Sequence, residues 1–154
     1  MMVFHPAEYK FRCIVDGCHR YLIVARELNT LVLELDVAMT EMEKPLFVTS
    51  ETTVAAGELS AGGIAVQVTP TTIILAKEGE LMETIRVDTN FPIAAASIVD
   101  PYIALQTQNG RLILYRLEAG DTRPHLSEVG KLAATIIHSV NIHRLTYRFK
   151  FQRG

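Results

Sequence analysis

The sequence lacks the short motifs by which most enzymes can be recognised. It contains no Gly-x-Ser-x-Gly elbow, no His-Glu-x-x-His pair, no phosphate-binding glycine loop and no dinucleotide fingerprint. Each of these motifs supplies a nucleophile, a metal or a cradle for phosphate at a fixed spacing, so their absence removes the usual signals of catalysis. We therefore predict a protein that is not an enzyme and that binds neither a cofactor nor a small-molecule substrate.

Cysteine is also scarce. Cys13 and Cys18 lie on either side of the turn-forming pair Asp16 and Gly17, and His19 follows directly. A zinc corner or a disulfide is conceivable there, but the downstream histidines are too scattered to give a second ligand pair: His125, His138 and His143. We predict two free thiols and no metal site.

Neither sign of charge dominates the chain. The formal net charge is −2, charged residues make up 21% and hydrophobic residues 49%. This balance gives no global attraction to nucleic acid or to an anionic membrane, and the hydrophobic fraction is too high for a disordered chain. Acidic residues gather between Asp36 and Glu58, where a solvated loop at a sheet edge is favoured over an acidic binding face.

Long hydrophobic segments are missing as well. The longest uncharged stretch, Leu59 to Ala76, is interrupted by Gly62, Gly63 and Pro70, so it predicts a β-hairpin and not a membrane span. The first residues of the chain contain no apolar core after a basic region. We therefore expect no secretory signal, an intracellular location and no membrane partner.

What the sequence does contain is a repeated strand–turn–strand pattern. An apolar strand, a polar turn and a second apolar strand begin near Tyr21, Ile64 and Tyr102. These starts are 43 and 38 residues apart (64 − 21 and 102 − 64), close to the roughly 40 to 45 residues of a four-stranded propeller blade. The β-branched content and the Asn109-Gly110 turn exclude paired helices of similar period.

Further strands are predicted between these hairpins. Thr53–Leu59 and Ile93–Val99 are rich in small residues, which suits the innermost strand of a blade, where sheets converge on a narrow channel. Glu83–Asp88 is predicted as an outer strand, and Asp100-Pro101 as a tight connection. The predicted fold class is all-β, a partial β-propeller of about three four-stranded antiparallel blades.

The C-terminal end is the one local candidate for nucleic-acid contact. Cations alternate there with aromatic residues and no acidic residue intervenes, which selects Arg144, Tyr147, Arg148, Lys150 and Arg153. A strand would place the aromatic side chains on one face and the cations on the other, so the two could not engage one nucleotide together. An ordinary amphipathic strand or basic tail is therefore favoured over an RNA platform.

Several of these segments also resemble a known family. Tyr21–Glu27, Val66–Pro70 and Val99–Ile103, followed by Asn109-Gly110, are similar in order and spacing to the largest subunit of the cleavage and polyadenylation specificity factor. The wider family includes the large subunit of the UV-damaged-DNA-binding complex and a large subunit of the splicing factor that recognises branch sites. The resemblance implies a nuclear three-propeller scaffold that holds the other subunits of a cleavage and polyadenylation complex and helps to engage pre-mRNA.

These observations divide the chain into residues 1–19 as an N-terminal lead-in, 20–118 as propeller blades and 119–154 as a C-terminal extension with β-type runs and a basic end. The predicted function is a non-enzymatic scaffold and protein-interaction module in mRNA 3′-end formation. Two alternatives are an RNA-binding module that uses the C-terminal basic-aromatic strand, and a self-contained β-barrel that binds a small apolar ligand. Because members of the family are many times longer, we expect a fragment or short form.

Overall fold

A computed structural model describes residues 3–4, 10–35, 40–41, 46–87 and 90–133. Every regular element in these ranges is a β-strand. Within the same ranges, no helix has the length and hydropathy needed to cross a membrane.

The strands form three antiparallel sheets in which successive strands are neighbours. The first sheet contains β1 (Val3–Phe4), β2 (Lys10–Val15), β3 (Arg20–Ala25), β4 (Thr30–Glu34) and β5 (Thr40–Glu41). The second contains β6 (Ala55–Leu59), β7 (Ile64–Val68), β8 (Thr72–Lys77) and β9 (Glu80–Arg86). The third contains β10 (Ile93–Val99), β11 (Tyr102–Thr107), β12 (Arg111–Glu118) and β13 (His125–Ala133). The all-β prediction is confirmed. The single-barrel alternative is wrong, because the described strands pair only within three separate sheets.

The three predicted hairpins are confirmed with small shifts of their ends. They are β3–β4, β7–β8 and β11–β12, and each begins within one residue of Tyr21, Ile64 or Tyr102. In the β11–β12 turn, Gly110 has a φ of +84° and its N–H donates to the carbonyl of Thr107 at 3.0 Å. A left-handed φ of this kind is what the Asn-Gly signal predicts in a short hairpin.

Three of the described strands, β1, β2 and β13, lie outside residues 20–118, the range predicted to hold the blades. β2 pairs with β3, and β13 pairs with β12, so each belongs to a sheet that was predicted from its central hairpin. Charged residues dilute the apolar alternation of both strands, with Lys10 and Arg12 in β2, and Glu128 and Lys131 in β13. With them, each sheet has the four or more strands that a blade requires.

Two hydrophobic clusters hold the sheets together. The cluster between the first and second sheets consists of Ile14, Tyr21, Ile23, Val32, Phe47, Ala56, Ala65, Ile74 and Ala76. The cluster between the second and third sheets includes Leu59, Ile64, Val66, Val68, Ile73, Leu75, Ile103, Leu105 and Ile113. All five residues of β7 are buried because the second sheet is covered on both faces. Burial of these side chains is the main force that stacks the sheets.

The inner strands of the three sheets lie side by side, since β6 contacts both β2 and β10. The approach is close at Gly57 of β6, where an added Cβ would lie 3.3 Å from Cγ2 of Ile98 in β10. This close packing explains the small residues in the two segments that were predicted to be innermost. The sheets therefore radiate from a shared line of inner strands, as propeller blades do.

Candidate interaction site

The ends of the sheets form two faces. The turns β3–β4, β7–β8 and β11–β12 lie at one end, together with the connections that lead into β6 and β10, and we call this end the groove face. The turns β2–β3, β6–β7, β8–β9 and β10–β11 lie at the other end, which we call the opposite face. The division follows from the antiparallel order, because each strand reverses direction at its end.

A groove of about 650 Å³ opens on the groove face where the three sheets meet. Lys10 begins β2, Val54 directly precedes β6 and Ile93 begins β10, so the groove lies against the start of every inner strand. Each sheet also contributes turn residues or the connections beside them: Ala25, Arg26, Glu27, Thr52, Thr53, Pro70, Pro92, Ala94 and Gln108. A ligand bound here would touch all three blades at once.

Hydrogen bonds fix the walls of the groove. In each of them, a turn is tied to a connection between sheets or to the first residue of an inner strand. Thr52 Oγ1 donates to the carbonyl of Arg26, the Ile93 N–H donates to the carbonyl of Pro70 at 2.9 Å, and the Gln108 N–H donates to the carbonyl of Pro92 at 3.0 Å. The walls of the groove are therefore preformed by backbone groups and one short hydroxyl side chain.

A buried amide holds the connection between the first two sheets. Gln67 of β7 is fully buried, and its Nε2 donates to the carbonyl of Val48 at 2.8 Å and to Thr53 Oγ1 at 2.9 Å. Its Oε1 accepts from the N–H of Val48 at 2.8 Å. The hydroxyls of Thr53 and Thr30 share a further hydrogen bond of 2.7 Å, which links the connection to the first sheet.

Replacing this amide should destabilise the fold. We expect Gln67→Met to lower the free energy of unfolding by about 2 kcal/mol, because it leaves the partly buried N–H and carbonyl of Val48 without their partners. Urea denaturation measures the change. The control is Gln108→Met on the exposed β11–β12 turn, for which we expect less than about 0.5 kcal/mol. Equal effects of the two substitutions would contradict this account.

Two carboxylates of the acidic segment bind within the molecule. Glu51 accepts hydrogen bonds from Thr71 Oγ1 at 2.9 and 3.1 Å and from Thr69 Oγ1 at 3.1 Å. Glu58 accepts from the N–H of Val15 at 3.3 Å and lies 3.8 Å from the guanidinium of Arg12. These contacts agree with the interpretation of the segment as part of the fold and its loops.

A buried carboxylate organises the opposite face. Asp16, in the β2–β3 turn, has no exposed surface. Its Oδ1 accepts from the N–H groups of His19 at 2.8 Å and Cys18 at 3.3 Å. Its Oδ2 accepts from Tyr21 Oη at 2.9 Å and from the N–H of Gly79 at 2.7 Å. Because Gly79 belongs to the β8–β9 turn, this carboxylate joins the first and second sheets.

The hydrogen bonds keep Asp16 ionised despite its burial. Burial alone would raise its pKa, but the donors from His19, Gly79, Tyr21 and Cys18 together lower the pKa below its ordinary value of 3.8. Burial and the adjacent carboxylate raise the pKa of Tyr21, so this phenol stays protonated and continues to donate. The pair is therefore a charged acceptor with a neutral donor at neutral pH.

The sequence raised the question of a metal corner at this turn. Ligand atoms of Asp16, Cys18 and His19 lie within 4.8 Å of one another, and Cys18 Sγ is 2.9 Å from His19 Nδ1. Each carboxylate oxygen of Asp16 already accepts at least two hydrogen bonds, so a cation could bind it only by displacing donors that hold the turn. Neither Cys13 nor Cys18 forms a disulfide.

The residues predicted to contact RNA are Arg144, Tyr147, Arg148, Lys150 and Arg153, and all of them lie outside the described residues. Direct RNA contact by this segment stays a prediction. The sequence did not predict the groove or the Asp16 cluster. Only weak signals point to them, namely a proline or glycine in most of the turns and connections concerned, though not in the β3–β4 turn, and such residues mark turns without showing which turns meet.

Taken together, the three stacked sheets and their shared line of inner strands define consecutive blades of a β-propeller. The family model described as "RSE1/DDB1/CPSF1 second beta-propeller" matches residues 8–151, and the chain belongs to this family.

Similar sequences support this assignment, and a solved structure shares the fold. The chain is 60% identical over 99 residues to a probable cleavage and polyadenylation specificity factor subunit 1 of Caenorhabditis elegans, and 55% identical over 111 residues to that of Caenorhabditis briggsae. These alignments cover 64% and 72% of the chain but only 7% and 8% of the relatives. The β-propeller domain of Cps50 (Swd1) from Myceliophteria thermophila matches 98% of the chain and 46% of its own with a TM-score of 0.53; at 11% identity it shows the fold alone.

Proposed function

We propose that the chain acts as a non-enzymatic scaffold in the nuclear machinery that cleaves and polyadenylates pre-mRNA. The observation that carries the proposal is its family membership, combined with 60% identity to a relative named as a subunit of the cleavage and polyadenylation specificity factor. The scaffold would hold other subunits of this machinery through the ends and edges of its blades, which present turns and backbone groups for docking.

The chemistry of the described residues supports a scaffold over an enzyme. Cys18, His19 and Asp16 have the residue types of a nucleophile relay, but Cys18 Sγ and Asp16 Oδ1 both face the same nitrogen, Nδ1 of His19, at 2.9 and 3.6 Å. A relay needs the nucleophile on one ring nitrogen and the carboxylate on the other. Asp16 is instead occupied in joining two sheets.

Affinity purification tests this proposal. The tagged chain, expressed in cells of its source, is recovered from nuclear extract with and without ribonuclease, and bound proteins are identified by mass spectrometry. A scaffold should recover other cleavage and polyadenylation subunits equally in both samples. Recovery that is lost on ribonuclease treatment would favour the rival function, direct RNA binding by the C-terminal basic strand. Recovery of no such subunit in either sample would overturn the proposal.

A further inference from the structure

The two faces differ in charge. The described residues of the groove face include more cations than anions: Lys10, Arg26, Arg86 and Arg111 compared with Glu27 and Glu51. The Glu51 carboxylate also accepts hydrogen bonds from threonine hydroxyls. The opposite face carries more anions than cations: Glu34, Glu78, Glu80, Asp100, Glu118 and Asp121 against Arg20, Lys77 and Arg123. Counted over the described residues alone, the groove face is therefore the more basic end and the opposite face the more acidic end, so the groove attracts an anionic partner.

Apolar side chains flank the same groove. Leu28, at the tip of the β3–β4 turn, is 80% exposed, and Phe91, in the connection between β9 and β10, is 45% exposed. Both are neighbours in the chain of residues that line the groove. Leu28 follows Arg26 and Glu27, and Phe91 precedes Pro92. Large exposed side chains beside a concave, preformed groove are typical of a binding surface, because their burial by a partner is favourable.

We propose that this groove receives an extended acidic segment of a partner subunit, with carboxylates directed to Arg26 and Lys10 and apolar side chains packed on Leu28 and Phe91. This inference rests on the proposed scaffold function. A peptide fits better than RNA because Leu28, at 80% the most exposed of the apolar side chains beside the groove, is aliphatic. Apolar side chains of a peptide can bury it, whereas it offers no ring on which a base could stack. Arginine pairs with carboxylates through two parallel hydrogen bonds.

Fluorescence polarisation with the full chain tests the inference. The probe is a labelled peptide of about ten residues in which glutamate alternates with leucine, long enough to lie across the groove in an extended conformation. We expect binding with a Kd on the order of 10 μM that weakens as salt is raised. A matched peptide with lysine in place of glutamate should not bind, and neither should a labelled oligouridylate.

Charge reversal at Arg26 locates the site. Arg26→Glu should weaken binding of the acidic peptide about tenfold, whereas Arg123→Glu, which makes the same change at an exposed position on the opposite face, should leave it unchanged. Thr52 binds the backbone carbonyl of Arg26 and not its side chain, so the substitution keeps this hydrogen bond. Equal melting temperatures of the two variants and the unmodified chain would show that both variants are folded. Equal effects of the two variants, no binding of the acidic peptide, or preferential binding of the oligouridylate would overturn the inference. If subunits still co-purify, the scaffold proposal survives such a result.

Discussion

Asp16→Ala is expected to lower the free energy of unfolding by about 3 kcal/mol. The substitution removes a fully buried carboxylate that accepts hydrogen bonds from three backbone N–H groups and one phenol, and it leaves the Tyr21 hydroxyl and the Gly79 N–H without their acceptor. Because one of these donors lies in the second sheet, the loss weakens the contact between blades as well as the β2–β3 turn. Urea denaturation followed by circular dichroism measures the change.

Two matched variants separate burial from charge. Asp100→Ala removes an exposed carboxylate that accepts a single hydrogen bond, from the N–H of Ala61 at 3.0 Å, and should cost less than about 1 kcal/mol. Tyr21→Phe removes one donor but leaves the carboxylate bonded to the other three, and should cost about 1 kcal/mol. If Asp16→Ala were no more destabilising than Asp100→Ala, Asp16 would not have the joining role assigned to it.

The same carboxylate predicts a pH dependence. The pKa of Asp16 is lower in the folded chain than its ordinary value of 3.8, so the ionised form is favoured by folding. Its contribution is complete above about pH 5, where the unfolded group is also ionised, and it declines as the pH falls through 3.8 and the lower folded pKa. The stability difference between the unmodified chain and Asp16→Asn should therefore be constant near neutral pH and shrink in acid. A difference that grew in acid would reverse the sign of this linkage.

The blades were predictable because their central hairpins carry local signals. Residues 64–68 and 72–77 are nearly continuous apolar runs around a Pro-containing turn, since the second sheet is buried on both faces, and the Asn109-Gly110 pair marks the turn in the third sheet. β2 and β13 were not predicted, because their apolar and polar residues do not alternate regularly. Lys10 of β2 lies on the groove and Lys131 of β13 lies in solvent, so neither position requires an apolar side chain.

The candidate sites were beyond the sequence because they depend on which turns meet. Asp16 and Gly79 are 63 residues apart, and nothing local to either shows that one bonds the other. The same holds for the groove, whose lining runs from Lys10 to Gln108. Gln67 is likewise buried, but the alternating pattern of its strand predicts an exposed polar residue, because the sequence does not show the connection that covers it.

Gly57→Val is expected to lower the free energy of unfolding by about 3 kcal/mol, through the second interface between blades. A Cβ at this position would lie 3.3 to 3.4 Å from three carbon atoms of Ile98, so the γ carbons of valine must push β6 away from β10. Valine favours strands over glycine, but this gain is smaller than the cost of overpacking. Chemical denaturation should therefore show a large loss for Val and a smaller loss, about 1 kcal/mol, for Gly57→Ala.

A compensating substitution tests whether space is the cause. Ile98→Ala alone removes part of the cluster between the second and third sheets and should destabilise the chain by about 1 to 2 kcal/mol, because Ile98 is only partly buried. Combined with Gly57→Val, it opens the volume that the valine needs, so the double variant should be more stable than the sum of the two single losses by at least about 1 kcal/mol. Strictly additive losses would mean that Gly57 is required for its backbone and not for the approach of two blades.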